Sequence, residues 1–420
     1  MVYVGSEVSR LRRVIVQRPG AAHAHMVPDD IEPSSAGYLL FDDLVHVPAA
    51  QAEHDQLVAV LGTTAEVLYL DDMIRQTLER EDARRWLIDE VARLEGLSGE
   101  TIRVLGSLDP VALERALVVG VLGSGDARLM HPLPNLIFTR DLAAVVGGTL
   151  VLGNASKRAR KRESLLMWTI VEHHPWFAGA RISENSRWVR RAGGSFPLTI
   201  EGGDVLVISD SLALIGASER TSWSMIINLA HELVVNGFTR VLVVEMPKQR
   251  SSMHLDTVFT MVDWDACVLY PPILERGGRE ECNLIRLRPK GGDLVVEDLD
   301  GDLLDALAGE GHPLRMIPCG GGHPLLARRE QWTDGANYVA LSPGVVVGYA
   351  RNNRTAAAMA AAGFRVLDTE AFLTELQRDF GGDYDRLETS GRRYAVQIDG
   401  PELSRGRGGP RCLTCPIERR

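Results

Sequence analysis

The sequence predicts an α/β protein assembled from repeated units of strand, turn, strand, helix and strand, interrupted by a mainly helical stretch. Three observations carry this. Residues 204–246 show the whole unit: Val205 and Val207, then Ala213 and Ile215, alternate as paired strands around Ser209-Asp210-Ser211. A helix follows with Ile226, Leu229 and Leu233 on one face, Gly237 stops it, and RVLVVEM closes the unit. Residues 337–369 repeat the pattern, with Gly363 as the helix stop and FRVLD as the last strand, and a third copy begins at 135 with its turn at Gly147-Gly148. The stretches 11–19 and 254–273 read as the opening strands of two more.

Such a unit cannot cover its own apolar faces. Radial packing into a propeller-like ring of α/β blades is one closed solution, and chemistry would then gather where loops converge at the axis. The alternative is a set of unrelated α/β units. Residues 71–117 break the pattern: Leu87, Val91 and Leu94 recur at helical spacing among charges, and Asp109-Pro110 starts another helix. This reads as a helical domain, 71–130, inserted between 1–70 and 131–420. A polar, glycine-containing stretch at 370–403 reads as a second interruption just before the C-terminal motif.

Composition narrows the class. With 420 residues, 45% hydrophobic and 24% charged, the chain can bury a large core. A net charge of -10 argues against a nucleic-acid binder that neutralises phosphates, and favours a cationic small-molecule partner. Five cysteines in so long a chain are no disulfide framework, so a reducing, cytoplasmic setting is expected. No signal peptide is evident at the N-terminus, and no apolar run reaches the length of a membrane span, so no membrane association is expected. Self-association into a homo-oligomer stays open.

Cys412 and Cys415, in "RCLTCP", admit three readings. A zinc site needs four ligands; no second CxxC exists, and a composite site would have to draw on Cys319 and His323. A redox dithiol belongs at a strand-to-helix turn, whereas this pair follows "SRGRGG" and runs into Pro416. The third reading is a nucleophile, on a loop where Gly406, Gly408 and Gly409 allow a sharp turn and Arg407 and Arg411 favour thiolate. His254 and Asp256 in "MHLDT" would point to one side of a strand, and histidine suits a thiol as proton shuttle. Glu201 and Asp204 bracket two glycines in "EGGDV"; Asn135, Phe138 and Asp141 fall at a strand end in "NLIFTRD". Each motif alone fits a polar turn or an ion pair, and the HxD also fits two metal ligands. Together they suit a planar cation whose central carbon is attacked.

These segments resemble those of the arginine deiminase family, among the guanidine-modifying enzymes with a five-bladed α/β propeller (the pentein fold). "LRRVIVQRPG", "LLFDD", "LPNLIFTRD", "RARKRE", "IEGGDV", "GASERTS", "MHLDTVF", "REQWTDGANYVALSPGVVVGYARN" and "SRGRGGPRCLTCPI" match in order along nearly the whole chain. The helical insertion matches too. The resemblance implies that Cys412 is the nucleophile and His254 the general acid/base. Asp141 and Asp256 would take the guanidinium N–H groups, and Glu201 would hold the histidine and the substrate. Arg160, Arg220 and Arg407, with Asn135 and Phe138 nearby, would receive the amino-acid end, since an arginine fork grips a carboxylate bidentately. It further implies hydrolysis of L-arginine to L-citrulline and ammonia without metal or cofactor. An amidinotransferase, a deiminase of a modified arginine or other guanidino compound, and a non-catalytic zinc-binding protein are the rivals. The sequence departs from the family pattern at Leu142, where proline is frequent, and at 370–403.

Overall fold

A computed structural model of the protein describes residues 2–35, 37–123, 128–191 and 198–420. Among these residues the strands form five separate sheets, and each contains the same core: an antiparallel pair, one strand of which also has a parallel partner. The strands are Ala143–Val146, Thr149–Leu152 and Arg181–Ile182 in one sheet, and Val205–Ser209, Leu212–Ala217 and Arg240–Glu245 in the next. Phe259–Asp263, Ala266–Leu269 and Arg315–Pro318 form the third core, and Val339–Ser342, Val345–Tyr349 and Tyr394–Ile398 the fourth. The fifth joins the two ends of the chain: Cys415–Arg419 runs antiparallel to Leu11–Val16, which is parallel to Glu66–Tyr69. A parallel partner needs a long crossover, and each crossover contains helix; that of the third unit also holds the hairpin Asn283–Lys290 and Asp293–Leu299, which extends the neighbouring sheet by pairing with Arg240–Glu245.

The unit at 204–246 shows why these residues fold so. Both strands of its hairpin are buried almost throughout and read as continuous apolar runs. Ser222 Oγ accepts the Met225 N–H at 3.4 Å and caps the helix Trp223–Val235, which buries Ile226, Leu229 and Leu233. Gly237, at φ 105°, takes the left-handed turn that returns the chain to the sheet.

The predicted helical stretch holds Leu70–Leu78, Glu81–Glu95, Gly99–Ser107 and Pro110–Val119. Asp109 caps the last through the Ala112 N–H at 2.9 Å. Leu87 and Val91 are buried, and the helix carrying them packs on Lys161–His173. The far end of this expected domain includes residues 124–127, which lie outside the described residues.

One expectation is corrected. The closing strand of the 337–369 unit is not FRVLD. Arg365–Asp368 sits at the sheet edge, and Tyr394–Ile398, from within 370–403, lies between it and Val345–Tyr349. The rest of 370–403 supplies the helices Thr369–Phe380 and Tyr384–Thr389, whose Phe372, Leu376 and Tyr384 are buried. The segment belongs to the sheet and its cover. Its polar residues are the outer faces of those helices, which hid the apolar ones from a reading by composition.

Candidate active site

Each unit leads into its first strand through a turn, and those turns meet. Three are single 3₁₀ turns, Thr139–Leu142, Gly202–Asp204 and Leu255–Thr257, just ahead of Ala143, Val205 and Phe259. They carry Asp141, Asp204 and Asp256, with Glu201 and His254 immediately before the second and third. The fourth unit offers Asp334 and Asn337 ahead of Val339, and the fifth Cys412 ahead of Cys415. This corrects two local expectations. Asn135 and Asp141 lie in consecutive 3₁₀ turns with Phe138 between them rather than at a strand end, and His254 and Asp256 do not share a strand face.

Cys412, His254, Asp141, Asn135, Phe138, Arg160, Arg220 and Arg407 line one small cavity of about 20 Å³. Glu201 and Asp256 stand directly behind it, buried and in contact with its lining. All ten residues singled out in the sequence are therefore brought together.

His254 Nε2 is 2.9 Å from Glu201 Oε2, and its Nδ1 is 3.7 Å from Asp141 Oδ1. Burial disfavours the imidazolium, but Asp141, Glu201 and Asp204 outweigh it and raise the histidine to about 9. Glu201 goes the other way: burial opposes its charge, yet Arg220, His254 and Arg160 hold its carboxyl far below the usual range. Glu201 Oε2 accepts from Arg220 Nη1 at 3.3 Å, and Oε1 accepts the Ser156 N–H at 3.1 Å. The EGGD glycines are needed for proximity, because a Cβ on Gly203 would lie 2.7 Å from His254 Nδ1.

Cys412 Sγ points at Asp256 Oδ2, 3.6 Å away. Burial, then Asp256, Asp141 and Asp334, push this thiol well above its ordinary value. The expectation that Arg407 and Arg411 would favour the thiolate is thus corrected. Arg411 turns its guanidinium to Glu7 (2.9 Å), Asp256 (2.7 Å) and the Val205 carbonyl (3.0 Å). Among Gly406, Arg407, Gly408 and Gly409 the left-handed residue is Arg407, at φ 62°. Gly408 serves close approach instead: a Cβ there would meet the Phe138 ring at 2.3 Å.

The arginines divide. Arg160 pairs with Asp141 Oδ2 (2.5 Å) and Glu163 Oε2 (2.9 Å) and donates to the Asn135 carbonyl (3.2 Å), so it braces the acidic wall. Arg407 lies 3.5 Å from the Trp332 ring centroid, with its buried Nε and Nη1 lacking hydrogen-bond partners. Asp141 Oδ1 and Asp256 Oδ1 are buried acceptors without hydrogen-bond partners as well. Unpartnered buried groups of both signs around one thiol are a binding site's signature, because each is costly until a ligand satisfies it.

Some residues escaped the sequence reading. Asn337 Oδ1 accepts the N–H groups of Arg411 (3.0 Å) and Cys412 (3.1 Å), while its Nδ2 donates to the Asp256 carbonyl (2.9 Å). It fixes the nucleophile's backbone. Asp334, at φ 63°, is buried with neither carboxylate oxygen bonded, and burial raises it to about 7 despite the influence of Arg407. Both fall in "WTDGAN", where an Asp-Gly pair signals only a turn.

Asp141, Glu201 and His254 approach closely enough to share a cation, and among the described residues no other group of His, Cys, Asp or Glu does. Arg160 and Arg220 already lie against those carboxylates. The two cysteines of the motif take no part in it. Cys415 Sγ donates to the Ala143 carbonyl at 3.4 Å, and Cys319 accepts from Thr355 Oγ1.

A buried cysteine, a charged histidine and paired carboxylates on an α/β framework define a guanidine-modifying enzyme site. The arginine deiminase family profile matches residues 37–107 and 113–419, and the chain belongs to that family. The arginine deiminase of Latilactobacillus sakei subsp. sakei (strain 23K) is 34% identical over 100% of this chain and 98% of its own length. That of Staphylococcus aureus (strain JH9) is 33% identical with the same coverage. Solved structures share the fold at lower identity. The N-terminal domain of ArgZ, an arginine dihydrolase bound to substrate, superposes with a TM-score of 0.52 at 12% identity, covering 97% of this chain and 98% of its own. SxtG, an amidinotransferase from Microseira wollei, gives 0.54 at 13% identity, covering 100% and 97%.

Proposed function

We propose that the protein hydrolyses L-arginine to L-citrulline and ammonia through a thiouronium on Cys412. The observation that carries this is the placement of Asp141 Oδ1 and Asp256 Oδ1, two buried acceptors in need of donors, around one thiol. A guanidinium between them supplies N–H donors and positive charge together. It cancels the field that holds Cys412 protonated, so the nucleophile forms when its target arrives. Sγ then bonds to the guanidinium carbon. His254, charged at neutral pH, gives its proton to the departing nitrogen, the C–N bond breaks, and the displaced thiol proton leaves with ammonia as ammonium. Neutral His254 next takes one proton from water, whose oxygen bonds to the carbon as the C–S bond breaks, and the remaining hydroxyl proton returns to the sulfur, restoring the thiol and leaving neutral citrulline. Two modest barriers replace attack of water on a resonance-stabilised cation. The α-carboxylate would meet Arg407 first, since its Nε and Nη1 have no partner, with Arg220 beside it; Arg160 would act chiefly by holding Asp141.

We also infer that the five units form a five-bladed α/β propeller with residues 71–130 as a helical insertion between 1–70 and 131–420. In support, Ala143–Val146 touches both Cys415–Arg419 and Val205–Ser209, Phe259–Asp263 touches Val339–Ser342, and Val339–Ser342 touches Leu11–Val16. The five cysteines are all free, which favours the cytoplasm, and no helix among the described residues is long and apolar enough to cross a membrane.

The test is to incubate the protein with L-arginine and no acceptor amine and to follow citrulline and ammonia. Release of both supports a deiminase; dependence on an added amine means an amidinotransferase. Stoichiometric zinc in the purified chain, with no turnover, would overturn the enzymatic reading.

A further inference from the structure

A second, much larger cavity of about 1010 Å³ lies between the helical stretch and the unit that carries Asp141. Its apolar walls include Leu94, Leu152, Leu165, Trp168 and Met225, and it shares no lining residue with the Cys412 cavity. The size is that of a site for a small organic molecule.

The charges around it are nearly all matched. Glu90 pairs with Arg93 at 2.6 Å, Glu172 with Arg187 at 3.3 Å, and Arg158 with Glu95 at 3.2 Å. Lys161 is the exception. Its half-buried ammonium donates only to Asn154 Oδ1, at 3.0 Å, and no carboxylate lies within ion-pair range among the described residues. An ammonium has three donors, so two are left for a ligand, in a setting where burial already works against the charge. The Trp168 indole adds a flat apolar surface to the lining.

We propose that this cavity binds a small carboxylate with an aromatic body, the carboxylate on Lys161 Nζ and the ring against Trp168. Among the described residues Lys161 is the lining cation with no carboxylate in ion-pair range, Glu201 acting on it only from further off; a ligand carboxylate satisfies it, and the aromatic body fills walls that water solvates poorly.

The probe is indole-3-acetate, with indole-3-acetamide as its uncharged counterpart, titrated calorimetrically into the full-length protein. The acetate is expected to bind at least about tenfold more tightly than the amide, as a charge-assisted hydrogen bond replaces a neutral one. Lys161→Met should erase that preference, and Leu165→Trp should weaken both ligands by filling the cavity. Lys161→Gln serves in place of the methionine variant if melting shows the latter unfolded. On the Cys412→Ala protein, saturating L-arginine should leave indole-3-acetate binding unchanged, since the two cavities are separate. Equal affinities, a preference that survives loss of Lys161, competition by arginine, or no binding at millimolar concentration would each overturn the proposal.

Discussion

Cys412 and Cys415 stand three residues apart, both buried, in opposite electrical surroundings. Burial raises both thiols, but Arg140 and Arg411 bring Cys415 back to about 11, whereas Asp256, Asp141 and Asp334 drive Cys412 further up. By acidity alone, Cys415 is the better nucleophile. It lines neither cavity, however, and its hydrogen is spent on the Ala143 carbonyl. Cys412 faces unpartnered carboxylate oxygens and a charged histidine. In a site for a cation, the reactive thiol is the one whose surroundings the cation can neutralise.

The comparison breaks most simply by deleting each sulfur. Cys412→Ala should lower citrulline release by about ten-thousand-fold or more, with an unchanged circular dichroism spectrum, while Cys415→Ala keeps activity within about threefold. The opposite ranking would show that acidity decides after all. Next in size, Asp256→Asn removes the charge nearest Cys412. It should cut turnover about a thousandfold yet speed alkylation of Cys412 by iodoacetamide at neutral pH, because the thiol becomes easier to ionise. If alkylation slows, the carboxylates are not what holds the proton on sulfur.

Glu201→Gln separates the histidine from the thiol. His254 rises from 6.5 to about 9 on folding, so its proton is available below about 9 and lost above. The alkaline limb of kcat/KM, which reports the free enzyme, should lie near that value in the native protein and shift toward neutrality in the variant, with about a hundredfold loss at its optimum. The same shift contributes stability that is complete below 6.5 and fades as pH climbs through about 9, which thermal melts across that range would register. Smaller again, Arg407→Ala should raise KM for L-arginine by about tenfold to a hundredfold with less effect on kcat, and agmatine, which lacks the carboxylate, should distinguish the two proteins poorly. The smallest effect is expected from Cys412's support: Asn337→Ala leaves two buried N–H groups unpaired and should cost roughly 1–3 kcal/mol of stability in denaturant titration.

Much of this was legible from residue types. Cys412 and His254 stand out because their chemistry is scarce, Asp141, Glu201 and Asp256 through the motifs that carry them, and alternating Val and Ile with the glycine stops Gly237 and Gly363 mark the units at 204 and 337. What stayed hidden depends on direction and on distant partners. Nothing in "MHLDT" shows that a 3₁₀ turn sends His254 toward Glu201 and Asp256 toward Arg411. In sequence Arg160 reads as a receiver of the substrate carboxylate and Arg411 as a support for the thiolate, since only the fold brings Asp141 or Glu7 to them. Tyr394–Ile398 was missed because the polar helices beside it dominate that stretch, although YAVQI alternates weakly enough to be a buried central strand.

The sulfur that carries the carbon decides the account. Protein mixed with L-arginine and quenched in acid within the first turnovers should, after digestion, show an amidino adduct by mass spectrometry on Cys412. An adduct on Cys415, or citrulline accumulating with both sulfurs unmodified throughout, would contradict it.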